Sequence, residues 1–579
     1  MNNAGNQRKY SRDHRNSIFN YLGKGELGGK AAGLMQIQKI LENENLHSDI
    51  NEITVSIPGM TVILTEVFDQ FMKQNDLYPI ALSSSDDVFI AHSFQKASLP
   101  PAIVGDLRDL ITKAENPLAV RSSSLLEDSS SEPFAGVYAT KMLPNNQPDI
   151  ETRFHKLTEA IKFIYSSLFF SESRDYFRSI GRKVEEEKMA VIIQDVVGNH
   201  YGEDFYPLIS GVGRTYNYYP VQDSKREDGV INLALGLGKT IVDGGSAWIY
   251  SPLSPQSPPP CNSNKSMLDN SQREFWSIKM EVIKEFNPIS EMEFMRKQSI
   301  EKAEDDGVLS LLCSTYDYQN DRFISGIQEK GARLLDFSPI LKYKKIALND
   351  ILKKLLHICR EQYQADVEIE FALEKITAET SGESVYHLGF LQVRTMQTLA
   401  DNGNLSQLEY LPSALLAESS SVLGNGRRDD IYDVVFVKPD TFSAINSRTI
   451  AREIAEINRE LTTEHRPYLL IGFGRWGSSD PWLGIPVTWS MISGAKAIIE
   501  ATLPQMKPDL SQGSHFFHNL IAFGIFYLSI QEDKKKTIDW NWLNEQKIIR
   551  ETDHVCLVRC SRNMEVIVDC VANRGVIVK

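Results

Sequence analysis

The chain runs to 579 residues, 42% of them hydrophobic and 24% charged. That is room for about three or four domains, which excludes a lone small binding module, and the ordinary composition excludes wholesale disorder and a membrane bundle. Asp and Glu outnumber Lys and Arg by 76 to 62, and a formal charge of −14 with no long basic run argues against nucleic acid as a partner.

Residues 1–17 read as a flexible tail. They lack the apolar stretch of an export signal, so the protein is expected in the cytoplasm. Next, Gly28-Gly29-Lys30 opens a helical pattern over residues 31–41. Glycines let backbone N–H groups approach anionic oxygens and the lysine adds a movable positive charge, although a capped helix with a surface lysine has the same pattern. Alternating Val55 and Ile57 predict a strand broken at Pro58-Gly59 and resumed to Leu64, with a helix over 66–74. Residues 118–124 form an apolar strand that ends in Arg121 and Ser122-Ser123-Ser124. A strand end can hold an arginine for bidentate contact with phosphate, or simply lead into a polar loop. A helix over 151–180 and a strand over 189–197 follow.

Three phosphate-binding templates are nearly matched. Gly238-Lys239-Thr240 ends like a P-loop, but Leu233 stands where its first glycine belongs, and Gly29-Lys30-Ala31 lacks the following hydroxyl. Gly472-Phe473-Gly474-Arg475-Trp476-Gly477 fits a dinucleotide fingerprint, yet Ser478-Ser479-Asp480-Pro481-Trp482 follows where a helix must start. Residues 251–272, with Pro258-Pro259-Pro260, read as a surface excursion. Helices are predicted over 274–286 and 348–364 and strands over 366–373 and 385–393. On such strands Glu368 and Glu370 share a side, as do Gln392 and Arg394, so one wall can present acid, amide and guanidinium. Residues 401–430 read as a linker. A strand at 433–437, a helix at 448–461 and a strand at 468–471 then make a β-α-β unit in a C-terminal α/β domain of residues 431–579. There Arg475, Asp480 and Trp482 suit a polar acceptor, or pin the domain in place. The longest apolar run, 520–530, is about half the roughly 20 residues of a membrane helix, so no membrane partner is expected. The six cysteines lack paired spacing and predict buried, reduced thiols.

The ordered set Gly28-Gly29-Lys30-Ala31-Ala32-Gly33-Leu34, Ile57-Pro58-Gly59-Met60, Ala119-Val120-Arg121-Ser122-Ser123, Phe134-Ala135-Gly136, Ile193-Gln194-Asp195-Val196-Val197, Gly236-Leu237-Gly238, Glu368-Ile369-Glu370-Phe371 and Leu391-Gln392-Val393-Arg394 resembles the nucleotide-binding domain of phosphoenolpyruvate synthases and pyruvate phosphate dikinases. The resemblance covers residues 18–400 and implies an α/β (α+β), ATP-grasp-like fold with ATP and Mg²⁺ as cofactors. It implies phosphate contacts at Lys30, Arg121 and Ser122, an adenine-lining segment with Gln194, Val196 and Val197, metal-binding Glu370 with Gln392 beside it, and Arg394 on the transferred phosphates. Arg121 and Arg394 are thereby catalytic. Lys239 departs from the acidic residue the family places after Gly-Leu-Gly.

In the complete enzymes of that family ATP phosphorylates a histidine set among small residues, and a barrel domain then acts on pyruvate. No histidine here has that setting. Gln512-Gly513-Ser514-His515 comes nearest, but Phe516-Phe517 follows, so His515 is either a catalytic phosphoryl acceptor or a packed helix-start residue. The C-terminal 150 or so residues are too few for a barrel, which needs about 250. The expectation is a Mg²⁺-dependent ATP phosphotransferase acting on an unidentified acceptor, on His515, or on a separate phosphohistidine carrier protein. The alternative is a non-catalytic ATP-binding sensor.

Overall fold

The computed structural model describes residues 19–43, 52–127, 136–220, 224–259, 263–281, 286–377, 384–396, 410–478, 482–502, 520–521, 523–531 and 538–579. The fold is mixed α/β and divides into two compact units. The first comprises residues 1–217, 221–241 and 246–396, and the second takes in 218–220, 242–245 and 397–579.

In the first unit, β1 (Phe19–Leu22) precedes α1 (Gly29–Asn43), β2 (Ile53–Ser56), β3 (Met60–Ile63), β4 (Leu118–Ser124), β5 (Thr140–Leu143) and β6 (Met189–Asp195). Then come β7 (Ile209–Arg214), β8 (Val230–Ala234), β9 (Trp248–Tyr250), β10 (Val367–Thr377) and β11 (Ser384–Thr395). One sheet has the order β1-β3-β6-β4-β5 and another β9-β8-β7-β10-β11-β2. Pro58-Gly59 does more than interrupt a strand. It sends β2 into the second sheet, parallel to β11, and β3 into the first, parallel to β1. A shared apolar core that includes Leu34, Val55, Val62, Ile192, Phe371 and Val393 joins α1 to both sheets.

Several sequence expectations need correction. The helix expected over 274–286 is instead a strand, Glu274–Lys279, laddered between Asp204–Tyr206 and Met295–Ser299. Phe275 and Ile278 are three apart, a helical spacing, but the two flanking strands decide for a strand in which they are both buried from opposite faces. The helix expected over 151–180 breaks into Ile150–Ser167 and Ser171–Ser179, with the Ser166 and Ser167 hydroxyls turned back onto the carbonyls of Phe163 and Ile164. The surface excursion over 251–272 contains a short helix, Asn264–Asp269, capped by Ser263. In the linker range, residues from Leu415 onward are strands of the second unit, because Leu416, Val422 and Leu423 are buried there.

The second unit is built on a nine-stranded sheet. Its parallel part contains β12 (Asn425–Val437), β13 (Tyr468–Phe473), β14 (Ala495–Ala501) and β15 (Phe526–Ile530). Helix α2 (Ser447–Thr463) is the crossover between β12 and β13, with Ile450, Ile454, Ile457 and Leu461 all buried. The five described cysteines are buried. Among the described residues no helix is long and apolar enough to cross a membrane.

Candidate functional site

Helix α1 starts over the end of β4, and a glycine is needed for it to do so. Gly28 has φ +73°, and a Cβ there would lie 1.8 Å from the carbonyl oxygen of Ser123. The Ser123 hydroxyl accepts from the N–H of Ala31 at 3.1 Å and donates to the Leu27 carbonyl at 2.9 Å, which ties the loop to the strand. Lys30 then reaches Glu127, with Nζ donating to Oε1 at 2.7 Å and lying 3.4 Å from Ser122 Oγ. The Ser122 hydroxyl donates to the same oxygen at 2.9 Å, and the Ser124 N–H donates to Oε2 at 2.8 Å. Glu127, 1% exposed, is thus the buried hub that aims Lys30. One turn on, Glu187 Oε1 accepts from the N–H groups of Leu125 and Leu126, at 2.7 and 3.2 Å. Burial pushes its carboxyl up to about 7.

The facing wall comes from the β10–β11 ladder, where Glu370 pairs with Gln392 and Glu368 with Arg394. Arg121 crosses from the other sheet. Its Nη2 donates to Gln392 Oε1 at 2.7 Å and lies 3.7 Å from Glu370 Oε2, and its Nη1 donates to the Leu391 carbonyl at 3.3 Å. The Arg121 and Glu370 side chains keep 15% and 16% of their surface exposed, so both remain accessible to a ligand. Arg394 is buried one ladder step along, with Nη2 bonded to Glu368 Oε1, while Arg214 Nε, from the neighbouring β7, donates to Oε2 at 2.5 Å.

Gln194 lies on β6 between Met60 of β3 and Ala119 of β4, two positions along β4 from Arg121. It is 2% exposed, and its Nε2 has no hydrogen-bond partner among the described residues. The Val196 N–H donates to the Pro117 carbonyl at 2.9 Å, and Val197 packs on Gly389, where a Cβ would lie 2.4 Å from Val197 Cγ2. The structure therefore brings Lys30 and Ser122 together at Glu127, and Arg121 together with Glu370 and Gln392, the two groups leaving β4 from the consecutive residues Arg121 and Ser122. It places Arg394 behind them against Glu368, and Gln194, Val196 and Val197 along β6 and its exit. His515 and Asp480 lie outside the described residues. In the second unit Arg475 Nη1 donates to the Gly244 carbonyl at 3.1 Å, Trp476 is buried with Nε1 on the Ile499 carbonyl, and Trp482 is exposed. The glycine loop after β13 continues as a short strand, Arg475–Trp476, and opens no helix at the position a dinucleotide turn requires.

Residues 24–410 match the family described as pyruvate phosphate dikinase, AMP/ATP-binding domain. The chain belongs to that family. Every residue of the site, from Lys30 to Arg394, falls inside the dikinase-type match. The chain is also similar to YvkC of Bacillus subtilis (strain 168), an uncharacterized phosphotransferase, with 25% identity over 195 residues. The matched stretch is 32% of this chain and spans about a fifth of that relative, 20% of its length.

Three residues that hold the candidate site together escaped the sequence reading of roles: Glu127, Glu187 and Arg214. Glu127 had a local signal, an acid five positions after Ser122 in a serine-rich turn. Arg214 had only the strand alternation Ser210, Val212, Arg214 after a buried face. Glu187 had none.

Proposed function

We propose that the protein is an ATP-dependent phosphotransferase of the phosphoenolpyruvate synthase/pyruvate phosphate dikinase type. One observation carries this reading: Arg121 from one sheet meets Glu370 and Gln392 from another, on the strand whose next residue, Ser122, lies 3.4 Å from Lys30. Phosphoryl transfer is catalysed mainly by positioning and by positive charge on the phosphate oxygens. In this reading Lys30 leaves Glu127 for a phosphate oxygen, Arg121 grips the phosphates with its planar fork, and Arg394 adds positive potential from behind Gln392. The Glu370 carboxylate and Gln392 amide oxygen are the hard donors that suit Mg²⁺. Mg²⁺ bound there would supply charge neutralisation on the transferred group.

The acceptor is a bound metabolite, His515, or a histidine on a separate carrier protein, and the β-phosphoryl transfer of this family makes AMP the expected product. Incubation with labelled ATP and Mg²⁺, followed by nucleotide chromatography, tests the reading. Turnover should disappear in Arg121→Ala and Glu370→Ala. Tight ATP binding with no AMP or ADP above blank would make the protein a nucleotide sensor instead, and unaffected variants would refute the site. Acid-labile label on the protein that is absent from His515→Ala would identify the acceptor.

A further inference from the structure

A second polar constellation lies on the same β10–β11 wall, beyond the segment that leaves β6. His387 Nδ1 is 2.9 Å from Glu374 Oε1, and His387 Nε2 is 2.7 Å from Ser56 Oγ. The other oxygen of Glu374 accepts from the N–H of Gly198 at 2.8 Å. Glu374 is 0% exposed and His387 6%. The three side chains come from three neighbouring strands: Glu374 and His387 are register partners on β10 and β11, and Ser56 on β2 is the register partner of Gly389.

This is the relay order of a nucleophilic serine, but its fourth contact points to another role. A buried carboxylate that accepts from both His387 and Gly198 requires a proton on Nδ1, and in the neutral ring Nε2 then accepts from the Ser56 hydroxyl. The chain of hydrogen bonds therefore ends on a backbone N–H of the segment 196–199. That segment is held at two further places, by the Val196 N–H on Pro117 and by the Asn199 side-chain amide, which pairs with both the carbonyl and the N–H of Lys375 at 3.0 and 3.2 Å. Gly389, lacking a Cβ, lets Val197 and Pro58 close on the wall between the Glu370 and Glu374 rungs. The irregular segment 196–198 is thus bonded at three points and packed into a glycine notch.

We propose that Ser56, His387 and Glu374 are positioning residues for the nucleotide base, acting through the backbone of residues 196–198. This rests on the ATP-site reading above. In that reading residues 196–198 face the base, so the network governs how the base is held and not how the phosphates are gripped.

The test compares two probes on the full chain in Mg²⁺: ATP, and inorganic tripolyphosphate, which has the charge but no base. His387→Phe removes two hydrogen bonds at similar volume and is expected to weaken ATP binding about fivefold to tenfold while tripolyphosphate affinity stays within about twofold. Glu374→Gln is the conservative variant. Its carbonyl oxygen still accepts from Gly198 and its NH₂ donates to the other histidine tautomer, so ATP affinity returns to within about twofold of wild type. This variant also decides the matter if His387→Phe does not fold, because Glu374→Leu must then weaken ATP binding where Glu374→Gln does not. Equal loss of both probes, or no loss of either, overturns the proposal. So does labelling of Ser56 by a fluorophosphonate, which would make the constellation a nucleophilic site. Failure of the wild-type protein to bind ATP at all would instead refute the ATP-site reading on which the proposal stands.

Discussion

Replacing Lys30 by Met should destabilise the protein more than replacing Glu127 by Gln, because the two partners are buried unequally. The Lys30 side chain is 13% exposed and can swing to water, whereas Glu127 is 1% exposed and cannot. In Lys30→Met the carboxylate retains only the Ser122 hydroxyl and the Ser124 N–H, and a buried charge stripped of its ionic partner costs about 3 kcal/mol. In Glu127→Gln no charge is stranded, but the new NH₂ faces either the donors at Oε1 or the one at Oε2, a mismatch of about 1–2 kcal/mol. The double variant has no buried charge to strand, so the effects should fall short of additivity by about 2 kcal/mol. Urea unfolding of the full chain measures all four corners of the cycle. Additivity within about 0.5 kcal/mol would refute the hub role of Glu127.

Other outcomes follow from the same geometry. Glu187 has a carboxyl pushed up to about 7 by burial, so its contribution is present below its unfolded value near 4.5 and is lost as pH rises through 7; Glu187→Gln should recover up to about 3 kcal/mol in urea unfolding at pH 8 and little at pH 4.5. Gln can stand in because both N–H donors, of Leu125 and Leu126, fall on one oxygen. Gly28→Ala places a Cβ 1.8 Å from a backbone oxygen at a positive φ, so thermal melting should drop by several degrees and labelled-ATP binding should fall with it. Cys313 and Cys359 are buried thiols pushed up to about 12, and mass mapping should find them unmodified by iodoacetamide at pH 8 until denaturant is added.

The sequence by itself determined what local spacing can encode. The run from Ile450 to Leu461 has one period and one buried face, so α2 was legible, as was the alternation that makes β10 and β11. The serine-flanked Arg121 and the Gly28-Gly29-Lys30 helix start marked anion chemistry, and their order along the chain carried the family resemblance. Local spacing misled where a helical spacing sits in a strand, as at Phe275 and Ile278, or where apolar residues flanking Ser419-Ser420-Ser421 pair into a sheet edge. The tertiary structure alone decided which polar groups face one another. Lys30 meets Glu127 across 97 positions, Arg121 meets Gln392 across 271, and Ser56 meets His387 across 331. Periodicity says which face of an element leaves water, but a buried polar atom is stable only against a partner of opposite hydrogen-bonding character, and the packing of the two sheets around α1 chooses that partner.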